Sequence, residues 1–169
     1  VHVNKKERIS IVGETGCGKT TTVNAIAQIL ARQARIDKGE IHFKGKDVLT
    51  MPQKELKRLR AENVSIIFQD PIASLNPVFT IGQQLKEVIR YSGIEGAGDK
   101  KVQEEKAIRA LKETSLPDPE RIMDSYPFQL SGGMRQRICI AMSLATPRDL
   151  VMADEPTTNL DVTIQDQVL

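Results

Sequence analysis

The chain has 169 residues, of which 40% are hydrophobic and 27% are charged, a composition that predicts a globular protein with a packed core and excludes a disordered one. Its formal net charge of +2 disfavours a dedicated nucleic-acid binder, which is usually more basic. Its two cysteines are too few for a disulfide scaffold, and no apolar run approaches the roughly 18 residues that span a bilayer. We therefore expect a soluble, cytosolic protein with no nucleic acid as its partner.

The first predicted elements are a strand, a glycine-rich loop and a helix. Residues 9–12 form a short apolar run typical of a strand, and a helix-compatible run extends from Thr20 to about Ala31. Between them, residues 13–20 follow the pattern G-x-x-x-x-G-K-[ST], which is the spacing of a phosphate-binding loop. A glycine-rich turn without a ligand is the alternative interpretation of this loop.

The loop has the chemistry that a nucleoside triphosphate requires. Its glycines let the backbone curl with N–H groups pointing inward, and the following helix adds the positive end of its dipole. Lys19 is expected to reach the β- and γ-phosphates, and the Thr20 hydroxyl to hold Mg²⁺, which prefers oxygen ligands. The candidate nucleotide-binding residues of this segment are Gly13, Glu14, Thr15, Gly16, Cys17, Gly18, Lys19, Thr20 and Thr21.

Strands and helices continue along the rest of the chain. The further predicted strands are residues 39–44, 64–68 and 150–153. The further predicted helices are residues 52–61, two within 80–114, one from 132 or 133 to about 145, and one starting at 162. One face of the first helix after residue 80 is apolar, with Ile81, Leu85, Val88 and Ile89.

This order of strand, helix, strand, helical insert and strand predicts an α/β fold with a parallel sheet and an inserted all-helical subdomain. Gly13, Gln69 and Asp154 each follow a predicted strand directly. Because active residues gather at the carboxyl ends of parallel strands, we expect all three at the functional site.

Polar side chains at two of these strand ends are candidates for metal binding and catalysis. Asp154 is a candidate Mg²⁺ ligand, and Glu155 a candidate for polarising an attacking water. Gln69 carries an amide that can contact the metal or that water. A solvated turn at the two acids and a plain polar strand end at Gln69 are the alternatives.

Residues 130–136, which read Leu-Ser-Gly-Gly-Met-Arg-Gln, predict a second anion site at the start of a helix. Ser131 is a good N-cap, and Gly132 and Gly133 let a phosphate approach the exposed helix N–H groups. A second such site, distant in sequence from the first, can serve a nucleotide that is held by another copy of the chain.

Five motifs in this order resemble those of an ABC-type ATP-binding subunit. Residues 13–20 are similar to its Walker A motif, Gln69 to its Q-loop, residues 130–136 to its signature, residues 154–155 to its Walker B motif with the catalytic glutamate, and residues 159–161 to its D-loop. The resemblance covers essentially the whole chain and implies a P-loop NTPase core with an inserted helical subdomain. The signature-like motif disfavours a kinase or a GTPase with the same phosphate loop.

The resemblance implies ATP hydrolysis, with ATP and Mg²⁺ as cofactors. It implies Glu155 and Gln69 as catalytic residues, and Thr20, Gln69 and Asp154 as metal ligands. Each ATP would lie between the phosphate loop of one subunit and the signature of a second in a head-to-tail homo- or heterodimer, whose closure and opening drive membrane subunits. The remaining implied nucleotide-binding residues are Ser131, Gly132, Gly133, Gln136 and Asp161.

Residues 67–71, 74–77 and 81–84 are more narrowly similar to the oligopeptide, dipeptide and nickel importer branch. This similarity implies a peripheral subunit on the cytoplasmic side of the cell membrane, with permease subunits contacted near residues 70–79. Packing of the apolar residues of that segment inside the domain is the alternative. Those apolar residues are Leu75, Pro77, Val78 and Phe79.

Two features of the family are missing from the sequence: an aromatic residue before the phosphate loop and a histidine beyond the D-loop. We therefore expect a single nucleotide-binding domain that is incomplete at both ends, with a core of residues 1–70 and 146–169 and a helical subdomain of residues 71–145. A soluble ABC ATPase acting in DNA repair or translation, and a nucleotide-binding fragment without hydrolysis, are the alternative functions.

Overall fold

A computed structural model describes residues 1–155, except for the side chains of Pro71 and Ile72. The chain divides into two compact units, Val1–Arg60 and Ala61–Leu169. The predicted helix that starts at residue 162 lies outside the described residues. Among the described residues, no helix has both the length and the apolar composition that crossing a membrane requires.

The first unit contains a helix, a short hairpin and most of a second helix. Helix α1 spans Lys19–Ala27, strands β1 and β2 span His42–Phe43 and Lys46–Asp47, and helix α2 spans Gln53–Glu62. The strands pair antiparallel, and the two residues that join them, Lys44 and Gly45, both have positive φ angles, 50° and 79°. Positive φ at both central residues is what a type I′ hairpin turn requires. A 3₁₀ turn, Val48–Thr50, follows the hairpin.

Helix α1 ends four residues before the predicted Ala31 because Gln28 adopts a left-handed conformation with φ 55°. The Arg60 side chain donates hydrogen bonds to the carbonyl oxygens of Ala27 (3.3 Å) and Gln28 (3.0 Å). Carbonyl groups at the end of a helix lack intrahelical partners, and a cationic donor there is favourable. Arg60 therefore stabilises the end of α1 from a distant point in the sequence.

Two of the predicted strands differ from the structure. Residues 9–12 belong to neither sheet of the described residues, and Ile9, Ile11 and Val12 are exposed. The predicted strand of residues 39–44 is instead the two-residue strand β1 of the hairpin. An apolar run becomes a strand only where a neighbour completes its hydrogen-bond ladder, and a local pattern cannot specify that neighbour.

The second unit contains a parallel strand pair and five helices among the described residues. Strands β3 (Val64–Ile67) and β4 (Leu150–Ala153) pair in parallel, with Val64 opposite Leu150 and Ile67 opposite Ala153. The helices are α3 (Pro71–Ser74), α4 (Ile81–Arg90), α5 (Lys100–Glu113), α6 (Pro119–Asp124) and α7 (Gly132–Leu144). Helices α2, α4, α5 and α7 and both strands confirm the predicted elements, whereas α3 and α6 are shorter than a pattern of apolar residues can reveal.

Side-chain caps set where the longer helices begin. The Thr80 hydroxyl accepts a hydrogen bond from the Gln83 N–H at 3.2 Å, and the Gln83 side chain accepts one from the Thr80 N–H at 2.9 Å. This reciprocal pair is a capping box at the start of α4. The Asp99 carboxylate caps α5 by accepting from the Lys101 N–H at 2.8 Å. Such caps satisfy N–H groups that have no partner within the helix.

The apolar core of the second unit lies among its helices. Ile81, Leu85 and Ile89 are fully buried, so the predicted apolar face of α4 is confirmed. Lys86 of α4 also forms an ion pair with Glu104 of α5 at the surface. The core residues are Leu75, Ile81, Leu85, Ile89, Ala107, Ala110, Leu111, Leu116, Ile122, Met123, Leu130, Ile138, Cys139, Ala141 and Ala145.

Candidate nucleotide site

The predicted phosphate loop curls at its glycines. Gly16 and Gly18 have positive φ angles of 86° and 100°, which are strained for other residues. The Cys17 N–H donates to the Glu14 carbonyl at 3.2 Å and closes a turn. A Cβ atom on Gly13 would lie 2.5 Å from the Cys17 sulfur, so a larger residue there would displace the Cys17 side chain. The pattern G-x-x-x-x-G therefore reflects the left-handed backbone that Gly18 adopts and the limited space beside Gly13.

Helix α1 begins directly after this loop without a side-chain cap. Its N-cap is Gly18, which has no side chain that could accept a hydrogen bond from the first turn. The Lys19 ammonium donates to the carbonyl oxygens of Gly13 (2.7 Å) and Glu14 (3.0 Å), which holds the cation over the start of the loop. Thr20 and Thr21 are exposed. The loop thus combines helix N–H groups, a cation and a hydroxyl, which suit an anion.

The second unit places Gln69 and Glu155 together at the carboxyl ends of its parallel strands. The Gln69 Nε2 group donates to the Glu155 Oε2 atom at 2.8 Å. The Asp154 N–H donates to the Ile67 carbonyl at 2.9 Å, so the hydrogen bonding between the two strands continues one residue beyond the end of β4. Asp154 is 6% exposed, whereas Gln69 and Glu155 are exposed. Gln69 and Asp154 thus follow paired strands, as predicted, and Glu155 lies beside Gln69, whereas the prediction that Gly13 follows a strand is wrong, because residues 9–12 form none.

The predicted second anion site lies at the surface of the same unit. Ser131 is the N-cap of α7, and its hydroxyl accepts a hydrogen bond from the Met134 N–H at 3.3 Å. Ser131 and Gly132 are exposed, and a Cβ atom on Gly132 would meet no other atom within 4 Å. A ligand outside the unit can therefore approach the start of α7.

Comparison with known families agrees with the motifs. Residues 1–158 match the model of the family described as ABC transporter.

The chain belongs to the ABC transporter family.

Three curated members of the ABC transporter family are similar to the chain over nearly its whole length. The probable peptide ABC transporter ATP-binding protein y4tR of Sinorhizobium fredii is 44% identical over 99% of the chain. The oligopeptide transport protein OppD and the dipeptide transport protein DppD, both ATP-binding proteins of Bacillus subtilis, are 42% and 44% identical over 99% and 98% of it. The chain covers 50%, 46% and 49% of these relatives, so it spans about half of their length.

Two solved structures of an ABC transporter cassette share the fold. The dimeric structure of the cassette MJ0796 is 27% identical, with a TM-score of 0.87 over 99% of this chain and 68% of that one. A post-hydrolysis state of MJ0796 bound to ADP and Pi matches equally well. The predicted α/β P-loop NTPase fold is thereby confirmed.

Two of the predicted nucleotide-binding residues are not found beside the exposed Ser131 and Gly132: Gln136 is buried, and Asp161 is not among the described residues. Gln136 is 1% exposed, because it lies on a side of α7 that packs into the unit. Its side chain is therefore not at the surface in this structure, whereas Ser131 is. Asp161 lies outside the described residues.

The segment predicted to contact permeases is organised by a glutamine that the sequence reasoning missed. The Gln84 side chain donates to the carbonyls of Asn76 (2.9 Å) and Phe79 (3.0 Å) and accepts from the Asn76 N–H (2.9 Å). Leu75 is only 3% exposed, so its predicted place in a surface patch is wrong, whereas Val78 is 73% exposed. The capping-box pattern from Thr80 onward is the sequence signal that α4 begins just after this segment.

Proposed function

We propose that the chain is the ATP-binding and ATP-hydrolysing part of a subunit that powers an ABC importer for peptides. The observation that carries the proposal is the conformation of the phosphate loop, with Gly16 and Gly18 at positive φ before an uncapped helix. The peptide substrate is supported by the names of relatives that are 42–44% identical over almost the whole chain.

The phosphate loop is the part of the chain that fits a triphosphate. Its helix start has no side-chain cap, which leaves N–H groups available to phosphate oxygens, and the hydrogen bond from the Cys17 N–H to the Glu14 carbonyl closes a turn within the loop. Lys19 neutralises phosphate charge once its ammonium turns from the loop carbonyls to the nucleotide. The backbone N–H groups of Glu14, Thr15 and Thr21 are further candidates for phosphate contacts in this segment.

The hydroxyl of Thr20 and the carboxylate of Asp154 are oxygen donors, which suit Mg²⁺. When bound, Mg²⁺ neutralises the charge that develops on the phosphates during hydrolysis. Glu155 accepts a proton from the attacking water, and Gln69 is the other candidate ligand and catalytic side chain. Support for these roles is the grouping of Gln69, Asp154 and Glu155 at one strand edge.

We further propose that the start of α7 binds the nucleotide of a second subunit in a head-to-tail dimer. The exposure of Ser131 and Gly132 and the dimeric state of the similar cassette MJ0796 support this arrangement. Gly133 belongs to the same surface. Gln136 takes part only after a rearrangement that exposes it, and Asp161 remains a candidate from the sequence.

Residues 70–79 are the proposed contact with permease subunits at the cytoplasmic face of the membrane. Val78 and Phe79 expose apolar surface there, and the Gln84 side chain fixes the backbone that carries them. In this proposal, residues 1–70 and 146–169 form the nucleotide-binding core and residues 71–145 the helical subdomain.

Nucleotide affinity tests the proposal directly. Lys19→Ala is expected to weaken binding of an ATP analogue in the presence of Mg²⁺ by roughly tenfold or more, because a charge-assisted contact with phosphate is lost. Lys54→Ala, at an exposed lysine of α2, is the matched control and should bind as the parent does. Equal dissociation constants for the parent and Lys19→Ala, measured by titration calorimetry, would contradict the proposed function.

A further inference from the structure

Two amide–carboxylate pairs stand at opposite ends of the β3–β4 ladder. Asn63 donates to Asp149 at 2.6 Å just before the strands, and Gln69 donates to Glu155 at 2.8 Å just after them. Both pairs join residues that are 86 positions apart. Val64 and Leu150, which face each other in the ladder, have the same separation. The side-chain pairs therefore continue the register of the strands.

This register determines that Gln69 and Glu155 emerge side by side. Side chains alternate between the faces of a sheet, so a slip of one residue would direct the two groups to opposite faces. The hydrogen bond from the Asp154 N–H to the Ile67 carbonyl keeps the two chains paired up to the residue before Glu155. Glu155 itself has a φ angle of 49°, which is uncommon outside glycine and turns the backbone just after the end of β4.

We infer that Gln69 is a positioning residue for Glu155: its amide N–H holds one carboxylate oxygen and thereby sets where the carboxylate faces. This inference rests on the proposed function of Glu155 as the group that accepts a proton from water. A general base must lie within hydrogen-bond reach of the water, about 2.6–3.2 Å, so the orientation of its carboxylate decides whether it can act. In this inference Gln69 acts through Glu155 rather than as a metal ligand or a direct contact of the attacking water, which are the other roles proposed for it.

Nuclear magnetic resonance of the nucleotide-free chain tests the hold on Glu155. The side-chain amide signal of Gln69 is expected to lie away from the position of a solvated glutamine and to move to that position in Glu155→Ala. Glu155→Gly, which tolerates a positive φ, should give the same result if the alanine variant folds poorly. Asp149→Ala is the matched control: it should move the Asn63 amide signal and leave that of Gln69 in place.

Steady-state kinetics provide the second test. Gln69→Leu is expected to lower kcat by roughly 10–100-fold with KM unchanged, because a misplaced reacting group costs rate and not binding. In the Glu155→Ala background the same substitution should have no further effect. A further loss there would overturn the inference, since Gln69 would then act independently of Glu155.

Different experimental results would overturn the positioning role of Gln69 and the proposed function of the chain. A Gln69 amide signal that ignores Glu155→Ala would overturn the inference, whatever the chain binds. A chain that binds no ATP analogue would overturn the proposed function, and the nucleotide-free spectra would still decide whether Gln69 holds Glu155.

Discussion

Gly82 packs against the backbone of Met123 so closely that no side chain fits between them. A Cβ atom on Gly82 would lie 2.7 Å from the Met123 carbonyl oxygen and 3.0 Å from the Met123 methyl carbon. Gly82 is a buried residue of α4, and Met123 belongs to α6. The absence of a side chain at Gly82 therefore permits the close approach of two helices.

Gly82→Ala is expected to destabilise the chain by about 1–3 kcal/mol. Alanine gains about 1 kcal/mol over glycine in helix propensity, but the clash is with a backbone carbonyl that cannot turn aside, so overpacking dominates. Gly132→Ala, at the open first residue of α7, should change stability by less than about 0.5 kcal/mol. Urea unfolding measures both, and equal stabilities of Gly82→Ala and the parent would contradict this packing.

Arg60→Leu is expected to destabilise the chain by about 1 kcal/mol, because the carbonyls of Ala27 and Gln28 at the end of α1 lose their cationic donor. Lys57→Leu, at an exposed position of the same helix, is the control for the loss of one charge. Hydrogen exchange should increase for the last amides of α1 in Arg60→Leu and not in Lys57→Leu. An unchanged exchange pattern would refute the capping role of Arg60.

The stability of the chain is expected to fall above pH 9 because of Cys139. Burial, together with the negative charge of Asp70, raises the pKa of the Cys139 thiol from 9.0 to about 11. A raised pKa means that the folded state retains the thiol proton more strongly than the unfolded state does. The contribution of the protonated Cys139 to the free energy of unfolding is therefore fully present below pH 9 and is lost as the pH rises to about 11. The effect is on the order of 2 kcal/mol. Cys139→Ala should show a smaller decline in thermal midpoint over this pH range. The same dependence of thermal midpoint on pH in the parent and in Cys139→Ala would contradict the prediction.

Bound nucleotide is expected to protect Cys17 from alkylation. Cys17 is exposed within the phosphate loop, whereas Cys139 is buried. Iodoacetamide should therefore modify Cys17 first in the folded chain, and ATP with Mg²⁺ should slow that reaction by covering the loop. Mass spectrometry of the alkylated peptides gives both rates. Equal rates at Cys17 with and without ATP would show that the nucleotide does not cover this loop.

Glu155→Gln is expected to lower ATP turnover by roughly 10²–10⁴-fold while leaving nucleotide binding intact, because an amide cannot accept the proton of the attacking water. Asp149→Asn, at the opposite end of the same strands, is the matched carboxylate control and should retain turnover. Single-turnover phosphate release measures the chemical step. Turnover by Glu155→Gln at the parent's rate would remove Glu155 from the proposed role.

Much of the local structure could be predicted from the sequence. The structure has three features near their predicted positions: the phosphate loop, the apolar face of α4, and strands β3 and β4. Each is recognised from the spacing of residues that are close together in the sequence. The family could be inferred as well, since the order of the motifs along the chain requires no knowledge of packing. Apolar residues recur every 2 residues in a strand and every 3.6 in a helix, and glycine marks turns. These patterns involve only neighbouring residues, so they can be recognised in the sequence alone.

Only the tertiary structure decided which of these residues face inward and which side chains meet. Leu75 and Gln136 are buried, although their motifs suggested surface roles, and Ile11 is exposed although its run is apolar. The hydrogen bond between Gln69 and Glu155 joins residues that are 86 positions apart, and it exists because β3 and β4 pair in one particular register. Burial and register depend on which distant segments pack together, so they follow from the free energy of the whole fold and not from any local pattern.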